Sequence, residues 1–124
     1  MTQLSARQRP YALGHLYTDY PCAVTDELPR MAELLADPDG LVRQSAVNGL
    51  SICGDAAVPA LTLVLAAPHQ GARTRATGAL RRIGTMAAAR VLFGLLNDEN
   101  YLVRMYAHEG LDEMGLLENV LLFT

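Results

Sequence analysis

The residues in this chain best able to do chemistry are its arginines. Residues 56 to 97 contain no Asp or Glu but five Arg: Arg73, Arg75, Arg81, Arg82 and Arg90. Guanidinium groups are rigid forks that grip carboxylates and phosphates through paired hydrogen bonds. From Asp98 to Glu118 the balance reverses, with Asp98, Glu99, Glu109, Asp112, Glu113 and Glu118 set against Arg104 alone. Two readings of this layout stand. One is an anion or acidic-partner site around Arg81 and Arg82. The other is pairing between neighbouring units, for example Arg75 and Arg82 against Glu113, where each exposed pair adds about 1 kcal/mol or less.

Bond-making chemistry does not assemble. There is no G-x-S-x-G, and Cys22 has no fixed His neighbour. There is no P-loop or Rossmann glycine pattern. Gly78 and Gly110 fall inside helical stretches, where close packing is the expected reason for them. Cys22 and Cys53 form no C-x-x-C, and Cys53 takes the apolar position held by Ile83 and Met114, which reads as a reduced core thiol. No catalytic residue, cofactor or metal-ligand set is expected.

The elements that carry these arginines repeat. Arg43, Ala46, Leu50 and Gly54 recur as Arg73, Ala76, Leu80 and Gly84, and again as Arg104, Ala107, Leu111 and Gly115. A fixed period of about 30 residues marks a stacked array of one supersecondary unit. Each copy predicts an outer helix, a polar turn and an inner helix closed by glycine. In the first full copy, residues 24–54, Thr25 caps an outer helix with Leu28, Met31, Leu34 and Leu35 on one face. Asp37-Pro38-Asp39-Gly40 turns it. The inner helix follows over Leu41 to Cys53, burying Val42, Ala46, Gly49, Leu50 and Cys53, and Gly54 stops it with a positive φ.

In the second copy, residues 55–84, Asp55 caps an outer helix burying Val58, Leu61, Val64 and Leu65. Pro68-His69-Gln70-Gly71 is the turn, and the inner helix runs from Ala72 to Ile83. In the third, residues 85–115, Thr85 caps a helix carrying Ala89, Leu92, Leu95 and Leu96. Asn97-Asp98-Glu99-Asn100 turns it into an inner helix from Tyr101 to Met114. Arg9, Ala12 and Leu16 suggest a degenerate copy over residues 1–20, and residues 116–124 read as a half repeat. Ala46, Ala76 and Ala107 stand where the two helices of a unit cross, since larger side chains would drive the axes apart.

Composition agrees with this. Hydrophobic residues make up 51% of the 124 positions but aromatics only 6%, which suits closely packed helices better than strands. The expectation is one all-α domain over residues 1–124. A net charge of −3 makes no general case for nucleic acid or an anionic membrane. The first residues lack the apolar stretch of a signal peptide. The longest apolar run, Ala56 to Pro68, is broken by Pro59 and too short to span a bilayer. A cytoplasmic location is the expectation.

These residues resemble the HEAT-like repeats of the phycobilisome-lyase type, whose pattern is an acidic residue, Val-Arg, Ala, Ala-Leu and a closing Gly. Asp37, Val42-Arg43, Ala46, Leu50 and Gly54 match it, as do Asp98, Val103-Arg104, Ala107, Leu111 and Gly115. The middle copy departs, with Ala67 in place of the acid and Ala72 in place of Val. The resemblance covers residues 24 to 124. It implies an α-α superhelix, a HEAT-like solenoid of about three and a half helical hairpins. It also implies an Asp–Arg ladder beside the turns, built here from Asp37, Arg43, Arg73, Asp98 and Arg104. The absent acid at Ala67 is expected to leave Arg73 short of one partner. Family members range from bilin-handling lyase subunits to scaffolds, DNA glycosylases and an iron-dependent hydroxylase with repeated His-Glu pairs. Here His108-Glu109 is a single pair in a different register, read as a solvated helix surface.

In such arrays the inner helices line the concave side, where partners bind. Opposite the buried face lie Gln44, Asn48 and Ser51, then Thr74, Gly78 and Arg81, then Met105, Glu109 and Asp112, with Gly14 and Tyr17 from the first copy. The function expected is a non-catalytic interaction module or scaffold. Its partner is another protein, contacted through Gln44, Asn48, Arg81, Arg82, Glu109 and Asp112. The alternatives are a lyase-type or chaperone-like subunit gripping a bilin or other acidic small molecule and, more weakly, nucleic-acid binding through the Arg-rich copy. At the C-terminus Leu116, Leu117, Val120, Leu121, Leu122 and Phe123 exceed what one helix can bury against a single neighbour. Self-association through this end, docking onto another subunit and folding back all remain open.

Overall fold

The computed structural model describes residues 27–118. The degenerate copy over residues 1–20, Cys22, the Thr25 cap, and the C-terminal Val120, Leu121, Leu122 and Phe123 lie outside the described residues. Within them every regular element is helical. α1 (Leu28–Glu33) runs into a 3-10 turn at Leu34–Ala36, and α2 (Gly40–Cys53) follows. A second 3-10 turn, Gly54–Ala57, leads into α3 (Val58–Ala66). Then come α4 (Gln70–Ile83), α5 (Met86–Phe93) and α6 (Tyr101–Glu113).

The punctuation is chemical. Asp39, Thr85 and Asn100 cap α2, α5 and α6, their side-chain oxygens accepting from the backbone N–H groups of Leu41, Ala88, and both Leu102 and Val103. Pro29 and Pro59 sit in the first turns of α1 and α3, where a missing N–H leaves no bond unmade. Gly54, Gly84 and Gly115 all have positive φ (62°, 64° and 72°), a region closed to most side chains, so each inner helix ends there.

Two caps differ from expectation. Asp55 does not cap α3, which begins after Ala57 without a side-chain cap; its carboxylate instead accepts a hydrogen bond from Thr85 Oγ1. The His69 imidazole caps α4, Nδ1 accepting from Ala72 N at 3.0 Å, so Gln70 and Gly71 join the helix rather than the turn.

The core lies between the helices of each pair. Met31, Leu35, Val42, Leu50, Leu61, Leu80, Leu92, Val103 and Leu111 are fully buried, as are Ala46, Ala76 and Ala107. The α2 face of Val42, Ala46, Gly49, Leu50 and Cys53 is buried as its spacing requires. Val58, Val64 and Leu96 are only half-buried against this core, Leu96 lying in the turn beyond the end of α5. Thr77 is the one polar residue fully inside among those described, and its hydroxyl donates to Arg73 O at 2.8 Å.

α4 is central, packing on its partner α3, on α5, and on both α2 and α6. Contacts of α4 with α2 and α6 are more extensive than those of α3 with α1 and α5. The 27-residue stretch Gly40–Ala66 contains an 18-residue window of mean hydropathy 1.7 and is long and apolar enough by length and composition to cross a membrane. Its backbone is broken at Gly54 (φ 62°, ψ −133°), so it is two helices meeting at a corner, with its buried side chains in this core.

Candidate functional site

Two groups of polar side chains hold neighbouring helices in register. The first lies at the turns. Arg73 pairs bidentately with the Asp98 carboxylate and sends Nε to Leu65 O at 2.8 Å. Both partners of this pair are largely enclosed. Asp98 Oδ1 also accepts from Asn100 N, and Arg104 Nη1 donates to Asp98 O at 2.6 Å. The Arg73 hydrogen bond is the chief cause that holds the Asp98 carboxyl below its usual range, and Asp98 in turn raises Arg73.

Arg43 repeats the local half of this arrangement, donating to Asp37 O and Pro38 O, while Asp37 Oδ1 accepts from Asp39 N. The acid missing at Ala67 therefore does not leave Arg73 short, since Arg73 takes its carboxylate from the following unit. In the same repeat register Ala67 faces Arg43, which donates to the backbone carbonyls of Asp37 and Pro38.

The second group lies across the exposed faces of α2, α4 and α6. Arg81 Nη1 donates to Glu109 at 2.7 Å, and its Nε and Nη2 both reach Glu113. That contact is the leading cause that lowers the Glu113 carboxyl and raises Arg81. Arg82 Nη1 donates to Asn48 Oδ1 at 2.6 Å, and the same oxygen accepts from Gln44 Nε2. The pairing expected of Arg75 and Arg82 with Glu113 falls instead to Arg81. Arg75 turns back 40 positions in sequence to donate to Leu35 O at 2.6 Å.

Between these contacts runs an open groove of about 480 Å³. Gln44 and Val47 of α2 form one wall, Tyr106 and Glu113 of α6 the other, and Thr74, Arg75, Gly78 and Arg82 of α4 the floor. At Gly78 a Cβ would meet nothing within 4 Å, so close packing does not explain this glycine; it keeps the floor low. Gly110 does follow the expectation, since a Cβ there would come within 3.0 Å of Leu92 and 3.3 Å of Arg81.

Of the six expected contact residues, Gln44, Arg81 and Arg82 line the groove. Asn48 and Glu109 anchor two of them from beside it, and Asp112 is exposed beyond its end. Val47, Arg75, Tyr106 and Glu113 were not singled out as contact residues. The signal for Arg75 is its spacing: positions 75, 78 and 82 share one helical face, a residue's rotation from 74, 78 and 81.

Cys53 is buried, and His108 is exposed on α6. No group of three or more His, Cys, Asp or Glu placed to hold a metal ion occurs among the described residues. Leu116 and Leu117 pack half-buried against the core, and Val120, Leu121, Leu122 and Phe123 lie outside the described residues. No protein-family model matches the chain, and no curated protein matches it either.

Proposed function

We propose that the chain is a HEAT-like α-α superhelix whose inner-helix groove docks a segment of another protein, without catalysing a reaction. Three glycines of positive φ about 30 residues apart support the repeat. So does the more extensive contact of α4 with α2 and α6 than of α3 with α1 and α5, which sets the longer helices side by side in one layer. The observation that carries the docking reading is Gly78, a glycine in mid-helix with open space above it. Glycine there costs helix stability of about 1 kcal/mol relative to alanine, and no packing contact offsets it. Low relief on an exposed face offsets it through binding.

The walls are mixed in charge, with Arg81 tied to Glu109 and Glu113. A nucleic acid laid along the groove would meet those acids, so a protein segment fits better than a polyanion of uniform charge. Affinity capture from the source organism tests this with the chain, with Gly78→Phe, which fills the floor, and with Leu63→Glu on an outer helix. A partner lost only with Gly78→Phe is the expected result. A partner retained by Gly78→Phe and lost with Leu63→Glu would place docking on the opposite face.

A further inference from the structure

Resting on the reading of the groove as a docking surface, we infer that it binds an extended acidic segment. Two carboxylates of that segment, three residues apart, pair with Arg75 and Arg82. Of the three arginines at the groove, Arg81 is already neutralised by Glu109 and Glu113. Arg75 and Arg82 donate instead to neutral oxygens, Leu35 O and Asn48 Oδ1. Each guanidinium carries five N–H donors, so most remain available for a bidentate carboxylate. Partial burial first, and the neighbouring Arg43 charge second, disfavour the charged form of Arg75. An added carboxylate would relieve that.

Geometry sets the spacing. Arg75 and Arg82 are seven residues apart on α4, about 10 Å along its axis. A polyproline-II segment rises about 3.1 Å per residue with three residues per turn, so side chains three apart share one face about 9 Å apart. Gly78 lies between the two arginines, where the backbone of such a segment would cross. The α6 wall keeps a net negative charge, two Glu against Arg81, which directs the acids toward α4 and away from α6.

The test is fluorescence anisotropy on the full chain at low salt. The probe is a ten-residue proline- and serine-based peptide with a neutral dye and glutamates at its fourth and seventh positions. The expected result is binding about tenfold tighter than for the glutamine counterpart, and tighter than with the glutamates six apart. Arg82→Gln and Arg75→Gln should each weaken binding about tenfold. Because Arg75 also holds Leu35 O, circular dichroism checks its fold, and Arg82→Gln decides if Arg75→Gln unfolds. Equal binding of the glutamine peptide, or no change with Arg82→Gln, would overturn the inference. If such charge-blind binding is still abolished by Gly78→Phe, docking in the groove survives and only its acid preference falls. If neither peptide responds to Gly78→Phe, or no peptide binds while a duplex of like charge does, the docking reading falls too.

Discussion

Gly78 and Gly110 are the same residue type in opposite surroundings, and their alanine variants should move stability in opposite directions. At Gly78 the added methyl meets open space, so Gly78→Ala should raise stability by about 0.5–1 kcal/mol through helix propensity. At Gly110 the methyl presses on Leu92 and Arg81, forcing α6 off α4. Gly110→Ala should lower stability by about 1–3 kcal/mol despite the same propensity gain. Urea unfolding of both variants checks the pair. A third residue carries the pH dependence. The native Asp98 carboxyl is depressed, chiefly by Arg73, so its contribution is whole at neutral pH. It is lost as pH falls through the ordinary carboxylate range, near 3.8, to the lower native value. Asp98→Asn should therefore cost about 1–3 kcal/mol at pH 7, a difference that shrinks below pH 4. A gap that stays constant down to pH 2 would remove Asp98 from the acid response.

At the scale of elements, the turns carry the inter-unit bonds, and the middle turn is incomplete. Asp37 and Asp98 each accept from the N–H two residues on, and Asp98 also takes Arg73 of the preceding unit. A carboxylate in place of Ala67 would do both, toward His69 N and Arg43. Ala67→Asp should stabilise the chain by about 1 kcal/mol, read as a raised melting temperature that Arg43→Ala cancels. Additive effects of the two substitutions would show that they do not meet. The inner helices were legible because Arg, Ala, Leu and Gly recur at fixed spacing and every buried position of α2 follows from it. The start of α4 was not, because His69 is an uncommon cap and Gln70-Gly71 reads as turn chemistry. Arg75 was missed because the expected face was set one residue's rotation away, on positions 74, 78 and 81 rather than 75, 78 and 82.

For the molecule as a whole, composition and repeat announce the all-α class, while the charge layout names arginines without saying which are spent. Arg81, singled out for a partner, is held by Glu109 and Glu113, whereas Arg82 and Arg75 donate to neutral oxygens. That division depends on which α6 acids face α4, a tertiary fact with no signature in spacing. The central helix should be the point on which everything depends. Leu80 is fully buried between neighbours on both sides, so Leu80→Ala should cost about 2–5 kcal/mol and loosen α2 and α6 together by amide exchange. Protection lost in α4 alone would mean the pairs fold independently.

The most direct measurement of the docking claim is an amide NMR titration of the labelled chain with the two-glutamate peptide. Shifts gathered at Gln44, Val47, Thr74, Gly78 and Arg82, with Leu63 and Met86 unmoved, are the result this account predicts. Shifts centred on α3 and α5, with the Gly78 amide silent, would contradict it.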